Sequence, residues 1–160
     1  MGTQANGTGF AGLLLPDGVI PVLPAFGRDA VLRALALAAA ERLDQPAYLL
    51  HERLRTREAL GSTAFGGGVA IPHARLPGVD RCAAMLARLP EPIDWQASDG
   101  QLVDVVVLLV SPETAGADHL KALARISRAL RDPATLPALR AADSAAAMQA
   151  AIAGEAAVNA

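Results

Sequence analysis

The stretch that decides the fold is Leu102-Val-Asp-Val-Val-Val-Leu-Leu-Val110, in which Asp104 is the one charged residue. A nearly continuous run of β-branched and leucine side chains is typical of a central strand that is covered on both faces. The run is also far shorter than the ~20 apolar residues that cross a bilayer as a helix. The sequence therefore predicts a buried strand here, with other elements packed against both of its faces.

Helical spacing of apolar residues is clear before this strand. It runs from Asp29 to Leu43, and Asp44 is then the expected N-cap of a second helix, with Pro46 in its first turn and Leu60 near its end. Gly61 follows as an expected helix stop. A helical pair is therefore predicted on the N-terminal side of the central strand.

Further elements surround the same strand. Asp118 is the expected cap of a helix from His119 to Arg131, whose predicted apolar face is Leu120, Leu123, Ile126 and Leu130. The other predicted elements are a turn at 16–18, a short edge strand over 19–23, a strand over 83–89, and helices over 133–141 and 144–153. Helices before, between and after strands predict an α/β layer fold.

Composition narrows the class of protein. The chain has 160 residues, which favours a single domain, expected over 10–155 behind a flexible tail over 1–9. Its formal net charge of −2 argues against broad nucleic-acid binding. The start lacks the basic and apolar segments of a secretory signal, and a lone Cys82, expected within a strand, fits a reducing compartment. We expect a cytoplasmic protein without membrane insertion.

Two of the three histidines are candidates for chemistry. His73 follows a short apolar segment and three glycines, a setting that suits covalent chemistry, although a surface role is the common alternative. His119 stands in the first turn of a predicted helix, whose partial positive charge favours the neutral ring, although a polar capping-region residue is the alternative. His51 lies within a charged helix and is expected to be an exposed helical residue.

The glycine run at Gly66, Gly67 and Gly68 suggests an anion-binding loop. Small residues let backbone N–H groups approach an anion, and the hydroxyls of Ser62 and Thr63 would add donors. A P-loop is excluded because no Lys-Ser/Thr pair follows and no helix begins there. The alternative is a mobile loop that joins a helix to a strand.

Other catalytic classes lack their signatures. A Ser-His-Asp hydrolase could use Ser62 and His73, but the chain has no Gly-x-Ser-x-Gly elbow. A zinc site would need a His-x3-His or Cys-x2-Cys spacing, which is also missing. We therefore expect no metal and no cofactor.

The segment from Arg57 to Arg75 carries a longer pattern: Arg-Glu, then Gly-Ser-Thr, a glycine-rich stretch, and Ala-Ile-Pro-His. It resembles the EIIA components of the phosphoenolpyruvate-dependent phosphotransferase system, in the fructose/mannitol class, and most of all the nitrogen-related branch, EIIA-Ntr. The resemblance extends from about Leu13 to Ile152 and includes His-Leu-Lys-Ala-Leu-Ala-Arg-Ile-Ser at 119–127. Ala64 and Ala74 stand where members of the family often have glycine, and both are small.

This resemblance implies a fold and a chemistry. The fold would be the mannitol-type sandwich, a mixed β-sheet flanked by α-helices on both faces. His73 would be the phosphorylated nucleophile, through Nε2, while His119 would donate a hydrogen bond to the phosphate and Arg57 would stabilise its charge. The phosphate pocket would be completed by the loop residues Ser62, Thr63, Gly66, Gly67 and Gly68.

The resemblance also implies partners. The donor would be an HPr-like phosphocarrier (NPr in the nitrogen branch), and the phosphorylation state would regulate target proteins. Such a chain is a phosphocarrier with a phosphohistidine intermediate rather than a stand-alone turnover enzyme. Two alternatives remain: a sugar-specific EIIA that passes phosphate to an EIIB, and a non-phosphorylated binding module that keeps the EIIA fold.

Overall fold

A computed structural model describes residues 9–153, which form one mixed sheet between two layers of helices. The strands are β1 (Leu14–Ile20), β2 (Ala64–Gly66), β3 (Val69–Ala70), β4 (His73–Leu76), β5 (Ala83–Ile93) and β6 (Val103–Pro112). The helices are α1 (Arg28–Leu43), α2 (Ala47–Ala59), α3 (Ala117–Arg131), α4 (Thr135–Ala141) and α5 (Ala145–Ala151). None of the described helices has the length and apolar character needed to cross a membrane.

Strand β6 organises the sheet. On one side it pairs antiparallel with β5, which pairs in turn with β1 in parallel. On its other side β3 and β4 both pair with β6 in parallel, one after the other, while β2 extends the sheet beyond β3. Between β3 and β4, the carbonyl of Pro72 accepts a hydrogen bond from Leu109 N at 3.0 Å. The chain therefore stays bonded to β6 across the gap between these two strands.

The side chains of β6 confirm that this strand is covered on both faces. Val106, Leu108 and Val110 are fully buried in the core beneath α1 and α2. The alternate residues, among them Val107 and Leu109, are fully buried in the core beneath α3, α4 and α5. Burial of an aliphatic side chain of this size stabilises the fold by ~1.5–3 kcal/mol, so this strand joins the two halves of the core. The mixed sheet flanked by helices confirms the predicted fold class.

Two predicted helix caps are wrong. Asp44 adopts the left-handed conformation (φ 55°) and ends α1, with its N–H bonded to the carbonyl of Ala40. Pro46 precedes α2 instead, because only a short link separates the two helices and the αL residue is used to end the first. Asp118 lies inside the first turn of α3, after Gly116, and makes no capping bond through its side chain.

The buried face of α3 also differs from the prediction. Leu120 is 64% exposed, whereas its neighbour His119 is only 5% exposed. The buried stripe passes through His119, Ala122, Ile126 and Leu130 at helical spacing. A histidine therefore occupies a place in the core that the apolar pattern had assigned to a leucine.

The remaining differences are local. The predicted turn at 16–18 lies inside β1 as an irregularity with Asp17 at φ 53°, and β1 is an edge strand, as the sequence predicts for this region. The segment after Gly61, in which the glycine run predicts a loop, contains three short strands, and Cys82, expected within a strand, directly precedes β5. Gly9, assigned to the flexible tail, is buried and accepts a hydrogen bond from Arg125. The rest of that tail and the boundary at 155 lie outside the described residues.

Candidate functional site

A cavity of about 500 Å³ lies where the C-terminal half of α2, strand β4 and the start of α3 meet. Its walls include three residues that the sequence singles out, Arg57, His73 and His119, together with Arg75 and Leu60. The three come from separate elements, so the packing of α2 and α3 around β4 assembles the site.

The ring of His73 is held in one tautomer. His73 opens β4 opposite Leu109, and its Nδ1 lies 2.8 Å from the carbonyl oxygen of Ile71. Because a carbonyl oxygen can only accept, Nδ1 carries the proton, and Nε2 of the neutral ring keeps its lone pair. Arg57 Nε donates to that Nε2 at 3.2 Å. Of the two ring nitrogens, Nε2 is therefore the one that carries a lone pair.

The environment of His73 also favours the neutral ring. Burial lowers its pKa below the ordinary value of 6.5, and the positive charges of Arg57 and Arg75 act in the same direction. The hydrogen bond to Ile71 and the charge of Glu58 oppose this shift without reversing it. A neutral imidazole at pH 7 can attack an electrophile without first losing a proton.

His119 is buried beside His73, and the centroids of the two rings are 5.5 Å apart. Its Nδ1 lies 2.7 Å from Ser111 Oγ, at the end of β6. Burial, followed by the charges of Arg75 and of His73, lowers its pKa to about 4. The neutral ring predicted from the helix N-terminus is therefore present, although burial is its main cause.

The adjacent residues Arg57 and Glu58 point in different directions. Arg57 Nη1 donates to the carbonyl of Gly61 at 2.8 Å, which ties the guanidinium to the turn that follows α2. Glu58 is buried, and its carboxylate accepts hydrogen bonds from Thr63 N, Thr63 Oγ1 and Trp95 Nε1 at 2.6, 2.8 and 3.0 Å. Glu58 thus anchors the end of α2 in the core, and this anchor holds Arg57 against His73.

The hydroxyls of Ser62 and Thr63 are not on the cavity wall. Ser62 Oγ donates to the carbonyl of Trp95 at 2.7 Å and accepts from Ala64 N at 3.1 Å. The hydroxyl of Thr63 donates to Glu58. Both therefore stabilise the turn after α2, and the structure places neither beside His73.

The three glycines lie farther along the chain from the cavity. Gly66 is the last residue of β2, and Gly67 and Gly68 form the turn to β3; the φ values of the three glycines are 115°, 72° and 84°. The N–H of Gly67 is bonded to Asp99 at 3.1 Å, and its carbonyl accepts from Arg140 at 2.7 Å. This placement corrects the expectation that these glycines surround the ring of His73.

Arg75 is a site residue that the sequence reasoning missed. It follows His73 by two positions in β4, so both side chains leave the strand on the same side. Within residues 9–153 neither Arg57 nor Arg75 forms an ion pair, whereas Arg53 on the same wall is paired with Glu113 at 2.7 Å. The signal that could have revealed Arg75 is strand periodicity after His73, but the sequence analysis predicts no strand there.

The remaining histidine is outside the cavity. His51 Nε2 lies 3.1 Å from Asp29 Oδ1, and its side chain is 15% exposed, so it is more buried than the sequence indicates. Among residues 9–153, no group of three or more His, Cys, Asp or Glu side chains is arranged to hold a metal ion.

The site therefore combines a neutral imidazole with nearby arginine side chains on the wall of one cavity. Nε2 lies beside the guanidinium of Arg57, which forms no ion pair within residues 9–153, and this geometry suits attack on an anionic electrophile such as a phosphoryl group. Residues 19–154 match the family described as "Phosphoenolpyruvate-dependent sugar phosphotransferase system, EIIA 2", and the chain belongs to this family.

The similar proteins include nitrogen regulatory proteins and components of sugar phosphotransferase systems. The chain is 49% identical over 129 residues to the nitrogen regulatory protein of Bradyrhizobium diazoefficiens, covering 81% of this chain and 84% of that protein. It is 38% identical to the 2-O-alpha-mannosyl-D-glycerate-specific EIIABC component of the Escherichia coli phosphotransferase system, over 66% of this chain and 16% of that protein.

Solved structures agree with the fold. The nitrogen regulatory protein IIA-Ntr of Neisseria meningitidis superposes with a TM-score of 0.83 at 27% identity, covering 89% of this chain and 97% of that one. The IIA mannitol protein of Escherichia coli superposes with a TM-score of 0.67 at 17% identity, covering 85% of this chain and 96% of that one. The fold is therefore that of the mannitol-type EIIA proteins.

Proposed function

We propose that the chain is a phosphocarrier in which His73 accepts a phosphoryl group on Nε2. The observation that carries this proposal is the pair of contacts on the ring: Nδ1–H bonded to Ile71 and Nε2 facing Arg57. In the step proposed, Arg57 Nε transfers its hydrogen bond from Nε2 to the incoming phosphoryl group, and the Nε2 lone pair forms a P–N bond. The donor's P–N bond breaks, and its electron pair stays on the donor's nitrogen. No proton has to leave His73, because Nε2 is already unprotonated.

The other residues of the cavity have distinct roles in this proposal. Arg57 and Arg75 stabilise the charge of the transferred group, and hydrogen bonds to charged groups contribute ~1.5–3 kcal/mol each. His119, being neutral and adjacent, donates a hydrogen bond to a phosphoryl oxygen. Phosphoryl transfer needs mainly such positioning and charge stabilisation.

The proposed donor is a phosphorylated HPr-like carrier, NPr in the nitrogen branch, and the targets are proteins regulated by the phosphorylation state of this chain. The 49% identity to a nitrogen regulatory protein supports this branch. The cavity wall includes the exposed leucine Leu60 (81%), and Leu120 (64% exposed) directly follows the wall residue His119 in the sequence. Exposed apolar side chains around a reactive group suit docking of a protein rather than capture of a small anion. A cytoplasmic location is part of the same proposal.

The test is phosphoryl transfer from phosphoenolpyruvate through enzyme I and the HPr-like donor, measured by intact mass. The wild-type chain should gain the mass of one phosphoryl group, and mild acid should remove it. His73→Ala should gain none, while His51→Ala, which removes a histidine outside the cavity, should match the wild type. A wild-type chain that gains no mass with any donor contradicts the proposal and leaves the non-phosphorylated binding module.

A second candidate is a sugar-specific EIIA that passes its phosphate to an EIIB. It is favoured by the 38% identity to part of a sugar-specific EIIABC component. The two roles separate when purified EIIB domains are added to the phosphorylated chain. Rapid loss of the phosphoryl group to an EIIB would identify the sugar role, whereas retention favours the regulatory one.

A further inference from the structure

Ser111 is fully buried, and its hydroxyl contacts His119, one of the residues on the cavity wall. It lies near the end of β6, paired with Arg75 of β4, and its exposed surface is 0%. Among the described residues, its side chain makes one hydrogen bond, to His119 Nδ1 at 2.7 Å. A serine hydroxyl carries one donor, and a buried donor without a partner is costly.

The direction of this hydrogen bond follows from what each partner needs. If His119 donated from Nδ1, the hydroxyl proton of Ser111 would have no acceptor, and Nε2 would be a lone pair at the edge of an anion-binding cavity. If Ser111 donates to Nδ1, the hydroxyl is satisfied and the proton of the neutral ring is on Nε2. The second arrangement leaves no buried donor unpaired.

We propose that Ser111 is a positioning residue that donates to His119 Nδ1 and thereby holds His119 as the Nε2–H tautomer. The N–H of Nε2 then donates to the phosphoryl group on His73. The role toward phosphate rests on the proposed function, whereas the tautomer itself does not.

The two rings of the site are then set in opposite states by opposite partners. The carbonyl of Ile71 can only accept, so it holds the proton on Nδ1 of His73 and leaves a lone pair on Nε2. The hydroxyl of Ser111 donates, so it frees Nε2 of His119 to carry the proton. One Nε2 is the nucleophile and the other is the hydrogen-bond donor, and no proton moves during transfer.

The tautomers can be measured on the unphosphorylated chain. In a long-range ¹H–¹⁵N spectrum of histidine-labelled wild type at pH 7, the protonated nitrogen should be Nε2 in His119 and Nδ1 in His73. A protonated Nδ1 in wild-type His119 would overturn the proposal, whatever the outcome of the phosphoryl-transfer experiment.

Variants separate positioning from a purely structural role. Ser111→Ala should lose the hydrogen-bond shift at His119 Nδ1 and accept phosphate about 2- to 10-fold more slowly, as the loss of one neutral hydrogen bond implies. In a His119→Ala background, Ser111→Ala should cause no further slowing. Thr135→Val, which removes a buried hydroxyl from α4, is the control and should change neither the tautomers nor the rate.

The outcomes are distinguishable. A wild-type chain that accepts no phosphate overturns the proposed function and leaves the tautomer result standing. A Ser111→Ala chain with the wild-type spectrum and rate, or one that slows transfer equally without His119, overturns the positioning role.

Discussion

The cavity around His73 and the turn at Gly66–Gly68 each contain an arginine that donates to a backbone carbonyl, but only the arginine at the turn is paired with a carboxylate. At the turn, Arg140 binds Asp104 through three contacts of 2.8–3.2 Å and also donates to the carbonyl of Gly67. In the cavity, Arg57 and Arg75 form no ion pair among residues 9–153.

This difference shows that a region can bind an anion only where its positive charges and hydrogen-bond donors are not already paired with carboxylates of the same chain. The Gly67 N–H is already bonded to Asp99, so this donor of the glycine turn is not available to a phosphate. Arg57 donates to the carbonyl of Gly61 and to Nε2 of His73, the atom at which the reaction is proposed to occur, but within residues 9–153 no carboxylate is paired with its guanidinium. Glycine content alone therefore does not distinguish a structural turn from a binding loop.

After loss of His73 itself, the largest decrease in the rate of phosphoryl acceptance is expected when an arginine of the cavity is removed. Arg57→Ala should slow phosphoryl acceptance about 10- to 100-fold, corresponding to the loss of a hydrogen bond to a charged group. Arg75→Ala should slow it several-fold, because the structure shows no direct bond from this guanidinium to His73. Arg140→Ala is the matched control, since it removes an arginine that is already paired at the turn. Initial rates measured by intact mass test this order, and an equal loss in Arg140→Ala would erase the contrast between the two regions.

The buried histidines should make stability depend on pH. His119 has a pKa of about 4 in the folded chain against an ordinary value of 6.5, so the unfolded chain binds more protons as the pH falls between these values. The stabilisation is fully present above pH 6.5 and declines toward pH 4, and the lowered pKa of His73 acts in the same direction. Urea unfolding measured across this range should show the decline.

His119→Gln is the control for this prediction. It replaces the titrating ring with a neutral amide, so the decline between pH 6.5 and pH 4 should become shallower. If the slope is unchanged in this variant, His119 is not the group responsible.

The smallest effect on transfer is expected at the turn. In Gly68→Ala the new Cβ would lie 2.5 Å from Arg140 Nη2, at a φ of +84°. The variant should lose about 1–3 kcal/mol of unfolding free energy and, when folded, accept phosphate within about twofold of the wild-type rate. Gly100→Ala has a similar φ of +76° but open space around the Cβ, so it should lose less stability. A large decrease in the transfer rate of folded Gly68→Ala would contradict the conclusion that the glycines lie outside the functional site.

Much of the fold was predictable because the signals are local. The apolar run of β6 and the helical spacing of α1 and α3 depend on residues close in sequence, and the structure confirms each element. The segment after Gly61 was harder to predict, since β2 has three residues and β3 has two, too few to show a strand period. The exposure of Leu120 could not be predicted, because an apolar pattern does not reveal that the polar residue His119 takes the buried position on α3.

The sequence by itself determined the two-sided core, the α/β class and, through the pattern from Arg57 to His73, the family. Only the tertiary structure decided which residues share the cavity, because His73, His119 and Arg57 come from three elements. It also decided that Arg75 accompanies them and that Gly66–Gly68 do not. The tautomer of His73 is settled in the same way, since the proton's position depends on the single atom that each ring nitrogen faces. Such contacts form only when distant parts of the chain pack together.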